Sequence, residues 1–205
     1  MYVDGFNLYY GVLKDTPYKW LDLERLFRFL RPHDNIQAIK YFTAIVEPGP
    51  SRERQDALLR AFAMLPLVEI IHGRFKRKQV TCACPGCVDR TRGTGVFTVP
   101  EEKRTDVNIA IHMLDDAYRQ RCERQVLVSG DSDLVPPIQM VRERFPRIRT
   151  TVYVPARTRV RGAANELRGV AHRHKTFPLE LLPLAQLPLH LPDGRGGTIR
   201  KPAAW

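Results

Sequence analysis

The chain reads as an α/β protein, a central and mainly parallel sheet with helices on both faces. Short apolar, β-rich runs alternate with segments whose apolar residues recur at helical spacing, the pattern of a sheet covered by helices. Two of those strands end on an acid beside a glycine, at Asp4-Gly5 and Gly130-Asp131, where a strand turns tightly into a helix. The 205 residues, 43% hydrophobic and 27% charged, are enough for one domain with embellishments and too apolar for a disordered basic tail.

Each element follows from its local pattern. Tyr2-Val3 is a short first strand that stops at Asp4, since only Met1, Tyr2 and Val3 precede the acid. Gly5 to Lys14 turns into a helix. Leu21, Leu23, Leu26, Phe27 and Leu30 form a second helical stripe, ended by Pro32. Ile36 to Val46 is β-branched and long enough for a buried strand, terminated by Glu47-Pro48-Gly49-Pro50. Ser51 is expected to cap a helix carrying Ala57, Leu58, Ala61, Phe62 and Leu65, and Leu67 to Ile71 is the next strand. Residues 73–100 keep no period and read as an insertion of loop and hairpin. Thr105 is expected as the N-cap of a helix whose stripe is Val107, Ala110, Ile111, Leu114 and Tyr118. Gln125 to Ser129 is a strand, Pro136-Pro137 open the following helix, and Arg149 to Val154 is a strand ended by Pro155. One domain over 1–178 is expected, followed by an extension over 179–205. There Pro178, Pro183, Pro188 and Pro192 forbid a long helix and predict extended or disordered chain.

Lys and Arg number 33 against 22 Asp and Glu, a net charge of +11, which concentrates polyanions and makes nucleic acid the leading partner class. No run approaches the ~18 apolar residues of a membrane span. The N-terminus lacks a basic segment followed by an apolar one. Three of the four cysteines crowd together at Cys82, Cys84 and Cys87 rather than forming a dispersed disulfide framework. Cytoplasm without membrane contact is the expected setting.

The chemistry rests on carboxylates. Ligands of an open parallel sheet bind outside the carboxyl ends of its strands, at the point where strand order reverses. If the strands ending at Asp4 and Asp131 are neighbours there, Asp4, Asp106, Asp131 and Asp133 converge. Four carboxylates in one cleft repel one another unless a divalent cation neutralises them, and hard oxygen ligands suit Mg²⁺ or Mn²⁺. Taken singly, each acid is an ordinary helix cap or dipole partner; taken jointly, two strand-to-helix turns each delivering an acid point to a metal site.

Three blocks carry a resemblance: Asp4-Gly5-Phe6-Asn7-Leu8-Tyr9-Tyr10-Gly11, Glu101-Glu102-Lys103-Arg104-Thr105-Asp106-Val107-Asn108-Ile109-Ala110, and Ser129-Gly130-Asp131-Ser132-Asp133-Leu134-Val135-Pro136. They are similar, in the same order, to the signature blocks of NYN-domain proteins, in the LabA-like branch of the PIN-like nuclease superfamily. The resemblance runs from Tyr2 to about Phe177. It implies a PIN-like, Rossmannoid three-layer fold and metal-dependent cleavage of RNA. It further implies that Asp4, Asp106, Asp131 and Asp133 are the metal-site and catalytic acids, with Asn7 and Ser129 beside them on the substrate side.

On this reading an in-line displacement at phosphorus hydrolyses the phosphodiester. Lys103 and Arg104 are candidates to hold the phosphate backbone, or else ordinary solvated charges. Arg142, Arg144, Arg147, Arg149, Arg157, Arg159, Arg161, His172, Arg173, His174 and Lys175 supply a second basic surface. Tyr9, Tyr10 and Phe75 are candidates to stack on bases. Single-stranded RNA is preferred because a shallow cleft takes a splayed strand more readily than a duplex; single-stranded DNA stays open. A non-cleaving RNA-binding or regulatory module is the rival reading. An aspartyl-phosphate mechanism through Asp131-x-Asp133 is a weaker one, because that pair belongs on a first strand.

Cys82, Cys84 and Cys87 are three soft ligands suited to structural zinc, which would pin the insertion. The fourth ligand is not evident; His72 and Cys122 are the candidates, and reduced thiols or a redox disulfide are the alternatives. The 179–205 extension, with Trp205, is expected to dock on the domain or to contact a second subunit in a homo-oligomer.

Overall fold

A computed structural model of the chain describes residues 1–82, 95–157 and 163–205. Six parallel strands form the central sheet: β1 (Tyr2–Asp4), β2 (Ile39–Thr43), β3 (Val68–His72), β6 (Arg124–Val128), β7 (Arg149–Val154) and β8 (Arg173–Thr176). Their order is β3-β2-β1-β6-β7-β8. Tyr2 lies opposite Lys40 on one side and Leu127 on the other. The chain thus winds outward from β1 through β2 to β3, then crosses back to β6 and winds the other way.

Side chains of successive residues point to opposite faces of a strand, and the core divides accordingly. Val3, Tyr41, Val126, Val128 and Tyr153 belong to one cluster. It is covered by α2 (Leu23–Leu30) through Leu23, Leu26 and Phe27, and by α3 (Pro50–Phe62) through Leu59, Ala61 and Phe62. Tyr2, Phe42, Leu127, Val152 and Val154 belong to the other. That one is covered by α4 (Thr105–Tyr118) through Ile109 and Met113, by α5 (Val135–Arg144) through Ile138, and by α6 (Ala163–Val170) through Leu167. The result is the α/β three-layer arrangement of a PIN-like fold. No helix among the described residues is long and apolar enough to cross a membrane.

Several expectations shift. Strand β2 spans Ile39–Thr43 rather than reaching from Ile36 to Val46, because parallel pairing extends only as far as its partners β1 and β3 run. Ser51 lies inside α3, whose N-cap is Gly49 at φ +141 with Pro50 following. Proline suits the first turn of a helix, where its missing N–H has no partner to lose. Thr105 likewise is the first residue of α4 rather than its cap, which is Arg104 at φ +82. The buried face of α4 is Thr105, Ile109, Met113, Asp116 and Ala117. Val107, Ile111 and Tyr118 of the expected stripe are exposed by 60%, 58% and 61%. Both sides of this helix carry apolar residues, so spacing alone does not select the face that meets the sheet.

The insertion begins as an antiparallel hairpin, β4 (Arg74–Thr81) with β5 (Val96–Lys103), registered from Arg74 opposite Lys103 to Thr81 opposite Val96. Beyond Phe177 the chain is ordered against the first core cluster, through Leu182, Ala185, Leu187 and Ile199. Trp20 Nε1 donates to the Pro188 carbonyl at 2.8 Å, and a small hairpin, β9 (His190–Pro192) with β10 (Thr198–Arg200), follows. The prolines forbid a long helix there and leave one short 3₁₀ turn, Leu179–Leu181. Leu182 and Leu187 are buried because they pack in the cluster that holds Trp20, whereas Leu179, Leu184 and Leu189 stay exposed.

At the amino-terminal edge of the sheet lies a buried polar knot. Lys40 Nζ donates to Asp116 Oδ2 at 2.6 Å, and the Tyr2 hydroxyl donates to the same oxygen at 2.8 Å. Arg121 Nη1 reaches Asp116 Oδ1 at 3.2 Å. Burial disfavours the charged carboxylate, but the hydrogen bonds from Lys40 and Tyr2 outweigh it and hold Asp116 below its ordinary range. Cys122 sits in this knot too, its thiol pushed up by burial and by the Asp116 charge.

Candidate functional site

The strand order reverses between β1 and β6, and the acids gather at the carboxyl ends of those two strands, the position at which open α/β sheets bind ligands. Asp4 ends β1 and caps α1 (Gly5–Leu8), from which a single π-helical turn, Tyr9–Leu13, continues. Its carboxylate is 2% exposed. The Asn7 backbone N–H donates to Oδ1 at 3.0 Å, and Asn7 Nδ2 and the Ser129 hydroxyl donate to Oδ2 at 2.7 and 3.0 Å.

Asn7 and Ser129 also grip the second turn. The Gly130 N–H donates to Asn7 Oδ1 at 3.1 Å, and the Asp131 N–H donates to Ser129 Oγ at 3.1 Å. Two turns 125 residues apart are therefore stitched together through one carboxylate. Asp131 in turn accepts the Asp133 N–H at 3.0 Å, capping a short 3₁₀ turn over Ser132–Leu134. In this arrangement Asn7 and Ser129 hold Asp4 and the Asp131 backbone in place.

Asp106 enters from the first turn of α4. Its carboxyl is pushed up to about 6, first by burial and then by the negative charges of Asp131, Asp4, Glu102 and Asp133. Burial likewise raises Asp4 above its ordinary value, against the hydrogen bonds it accepts and with the Asp131 charge adding to the rise. The charges of Asp131, Asp4, Glu102 and Asp133 thus all act on Asp106. Local pattern does not mark Glu102, because it lies one residue before the end of hairpin strand β5 rather than at the end of a strand of the main sheet. Its carboxylate accepts from the Thr105 hydroxyl and backbone N–H, fixing the entry to α4 that delivers Asp106.

Among the described residues no group of three or more His, Cys, Asp or Glu side chains closes into a ready ion cage. One or two of these carboxylates could still hold a hard divalent cation, since Mg²⁺ keeps several waters and is commonly held by one or two carboxylates and a substrate phosphate. Burial and then the neighbouring acids push Asp106 toward its protonated form.

A sign follows for stability. The Asp106 carboxyl, raised above its unfolded value, makes the folded state bind more protons between about pH 4 and 6. Its ionisation destabilises the fold progressively as pH rises through that window, and fully above it. Asp106→Asn is therefore expected to be more stable than the parent at pH 7.5, by about 1–2 kcal/mol after allowance for solvent screening. The two proteins should converge near pH 4. Urea denaturation at both pH values checks this, and a gap of equal size at both contradicts the assignment.

Gly5 is the one position where the turn admits no side chain. A Cβ there would lie 2.7 Å from the Tyr41 ring and 2.8 Å from the Phe42 carbonyl oxygen, which is backbone and does not give way cheaply. Gly5→Ala is expected to displace Asp4 and to lower stability by about 1–3 kcal/mol, measurable as a reduced melting temperature.

Lys103 and Arg104 are exposed beside the site, and Lys103 Nζ pairs with Glu101 at 3.2 Å. Of the distal basic residues, Arg173, His174 and Lys175 are exposed on edge strand β8, Arg157 Nη2 reaches the Val12 carbonyl at 3.5 Å, and Arg159 and Arg161 lie outside the described residues. Tyr10 is 62% exposed and packs against Phe6 and Tyr9, while Phe75 meets Phe6 edge-on. Cys82 follows β4, whereas Cys84 and Cys87 lie outside the described residues. Cys122, a candidate fourth zinc ligand, belongs to the Asp116 knot at the opposite edge of the sheet. A larger cleft of about 830 Å³, lined by Met1, Tyr2, Lys40 and Asp116, also opens at that edge and contains none of the four acids.

The family model of the NYN domain matches residues 1–177. The chain belongs to the NYN domain family. Its fold is accordingly nuclease-like. A protein of Pseudomonas putida (strain DSM 28022 / S16) named 6-hydroxy-3-succinoylpyridine 3-monooxygenase HspA is 33% identical over 235 residues, an alignment spanning all of this chain and 74% of the relative. No solved structure matches this NYN chain.

Proposed function

We propose that this NYN chain, of the LabA-like branch, is a divalent-metal-dependent ribonuclease acting on single-stranded RNA. The observation that supports the reading is that the Asp4 and Asp131 turns meet at the β1/β6 reversal, with Asp106 raised by burial and then by the charges of Asp131, Asp4, Glu102 and Asp133. Asp4, Asp106, Asp131 and Asp133 would hold Mg²⁺ or Mn²⁺. When bound, the ion supplies charge neutralisation, a water of lowered pKa and stabilisation of the departing oxygen.

The chain's own residues prepare that site. Asn7 and Ser129 fix Asp4 and hold the Asp131 turn against it, so the carboxylates need not reorganise when substrate arrives. Lys103 and Arg104 are placed to meet the strand's phosphates. The exposed basic face of β4, with Arg74, Lys76 and Lys78, continues the positive surface from the base of the hairpin and favours a polyanion over a small neutral substrate.

The test is cleavage of end-labelled single-stranded RNA by the purified chain with Mn²⁺ and with EDTA. Cleavage that requires Mn²⁺ is expected; RNA retained without cleavage under both conditions selects the non-cleaving binding module. The melting temperature should also rise with Mn²⁺ at pH 7.5 and less at pH 5, where Asp106 is protonated. A rise of equal size at both pH values counts against Asp106 as a ligand.

The similarity to HspA favours a second reading, monooxygenation of a hydroxylated pyridine. There one oxygen atom of O₂ enters the ring and the other leaves as water, at the expense of two electrons from an external donor. Oxygen uptake that depends on 6-hydroxy-3-succinoylpyridine and an added two-electron reductant would select it.

A further inference from the structure

A cleft of about 160 Å³ lies next to Gly5 and is walled by Phe6, Tyr9, Tyr41, Leu58 and Trp205, with Arg54 among the residues lining it. Its size is informative, because a cavity of roughly 150 Å³ accepts a benzene ring. A space of that size takes one six-membered ring. The walls come from four separate segments: α1 with its π turn, β2, α3 and the stretch ending at Trp205. Trp205 is held there by its backbone N–H on the Pro202 carbonyl at 3.0 Å and by packing against Trp20, centroids 6.3 Å apart.

Tyr41 supplies the polar signal. The side chain is 8% exposed, packs edge-on against Phe62 at 4.9 Å, and lines the cleft. Among the hydrogen bonds of the described residues none involves its hydroxyl. Tyr41 lines the cleft, where an incoming oxygen can reach its hydroxyl. The neighbouring polar groups are already engaged, since Gln55 bonds the Val46 N–H and the Ala44 carbonyl. Burial and the Asp4 charge hold the Tyr41 phenol in its protonated form, so it can donate to an incoming oxygen.

We propose that this cleft binds one planar six-membered ring bearing a carbonyl or hydroxyl oxygen, with Tyr41 donating to that oxygen and the aromatic walls covering the ring. Such a ring is either the pyrimidine base of a strand or a free hydroxylated ring. Because Gly5 follows Asp4 directly, a ring seated here lies beside the acids. That an attached phosphate is thereby brought to them rests on the ribonuclease reading; binding of the ring does not.

The full chain is titrated in EDTA with uridine 5′-monophosphate, adenosine 5′-monophosphate, uracil and 2-hydroxypyridine, followed by calorimetry and by tryptophan fluorescence. Saturable binding of a one-ring compound is expected, with adenosine 5′-monophosphate as the two-ring comparison. Tyr41→Phe, which keeps the ring packing, should weaken binding by about tenfold, a loss of ~1.4 kcal/mol. Trp205→Ala should remove the fluorescence response. Preference for uridine 5′-monophosphate identifies a strand as the source, and preference for 2-hydroxypyridine a free ring; either supports the site. Absence of saturable binding by every one-ring compound up to about 10 mM, or equal affinity in the parent and Tyr41→Phe, overturns it. EDTA removes divalent ions, so these results are independent of the Mn²⁺ cleavage assay, and one proposal can fail while the other stands.

Discussion

Asp131→Asn is expected to abolish Mn²⁺-dependent cleavage of single-stranded RNA, by about 10²–10³-fold or more, while leaving the fold in place. Asparagine keeps the side-chain oxygen that accepts the Asp133 N–H, so the 3₁₀ turn retains its cap. The Ser129 hydroxyl still receives the Asp131 backbone N–H. Stability should therefore stay within about 0.5 kcal/mol of the parent, and what is lost is a charge. The loss has a second readout: Asp131 is the first of the charges that raise Asp106, after burial itself. In the variant the Asp106 carboxyl should titrate below about pH 6, observable by carbon NMR of the labelled side chain. Undiminished cleavage by pure Asp131→Asn protein would remove Asp131 from the chemistry. An unmoved Asp106 titration would separate the two acids electrostatically.

The largest effect on stability is expected at the other end of the sheet. Asp116→Ala leaves Lys40, whose side chain is 8% exposed, as a buried ammonium without its partner, and takes the acceptor from the Tyr2 hydroxyl as well. Breaking a buried pair on one side costs about 3–5 kcal/mol. For a chain of this length that lowers the melting temperature by roughly 6–20 °C. Replacing both partners with apolar residues, Lys40→Met with Asp116→Leu, should recover most of the loss, because no charge is then left uncompensated. Thermal denaturation of the single and double variants forms the comparison, and a double variant no better than Asp116→Ala would show that the knot contributes more than charge pairing. This edge lies away from Asp4, so cleavage by the folded double variant should match the parent.

Much of the architecture is legible in local pattern, and the misses have physical causes. The alternation of apolar runs and helical stripes identifies a parallel sheet with helices on both faces. The two Asp-Gly and Gly-Asp turns mark where strands end, since tight strand-to-helix turns constrain residue type. Helix α4 shows the limit: Val107, Ile111 and Tyr118 make a clean stripe yet face solvent, and Ile109 and Met113 face the sheet. Hydrophobic spacing specifies that a helix forms, but a helix apolar on two sides is oriented by its neighbours. Glu102 escaped notice for a related reason. Its contribution to the acidic field depends on the hairpin returning to the head of α4, and no local rule announces that return.

Sequence alone determined the chemical inventory: an α/β chain, a basic surplus, and Asp4, Asp106, Asp131 and Asp133 at the heads of helices. These are properties of residue type and short-range spacing, which propensity and turn chemistry constrain directly. Only the tertiary structure decided that β1 and β6 are neighbours, that Asn7 and Ser129 tie their turns through one buried carboxylate, and that Tyr41 faces a ring-sized cleft with Trp205. Those relations join residues far apart along the chain, and they arise because burying both faces of one sheet leaves few ways to place its strands.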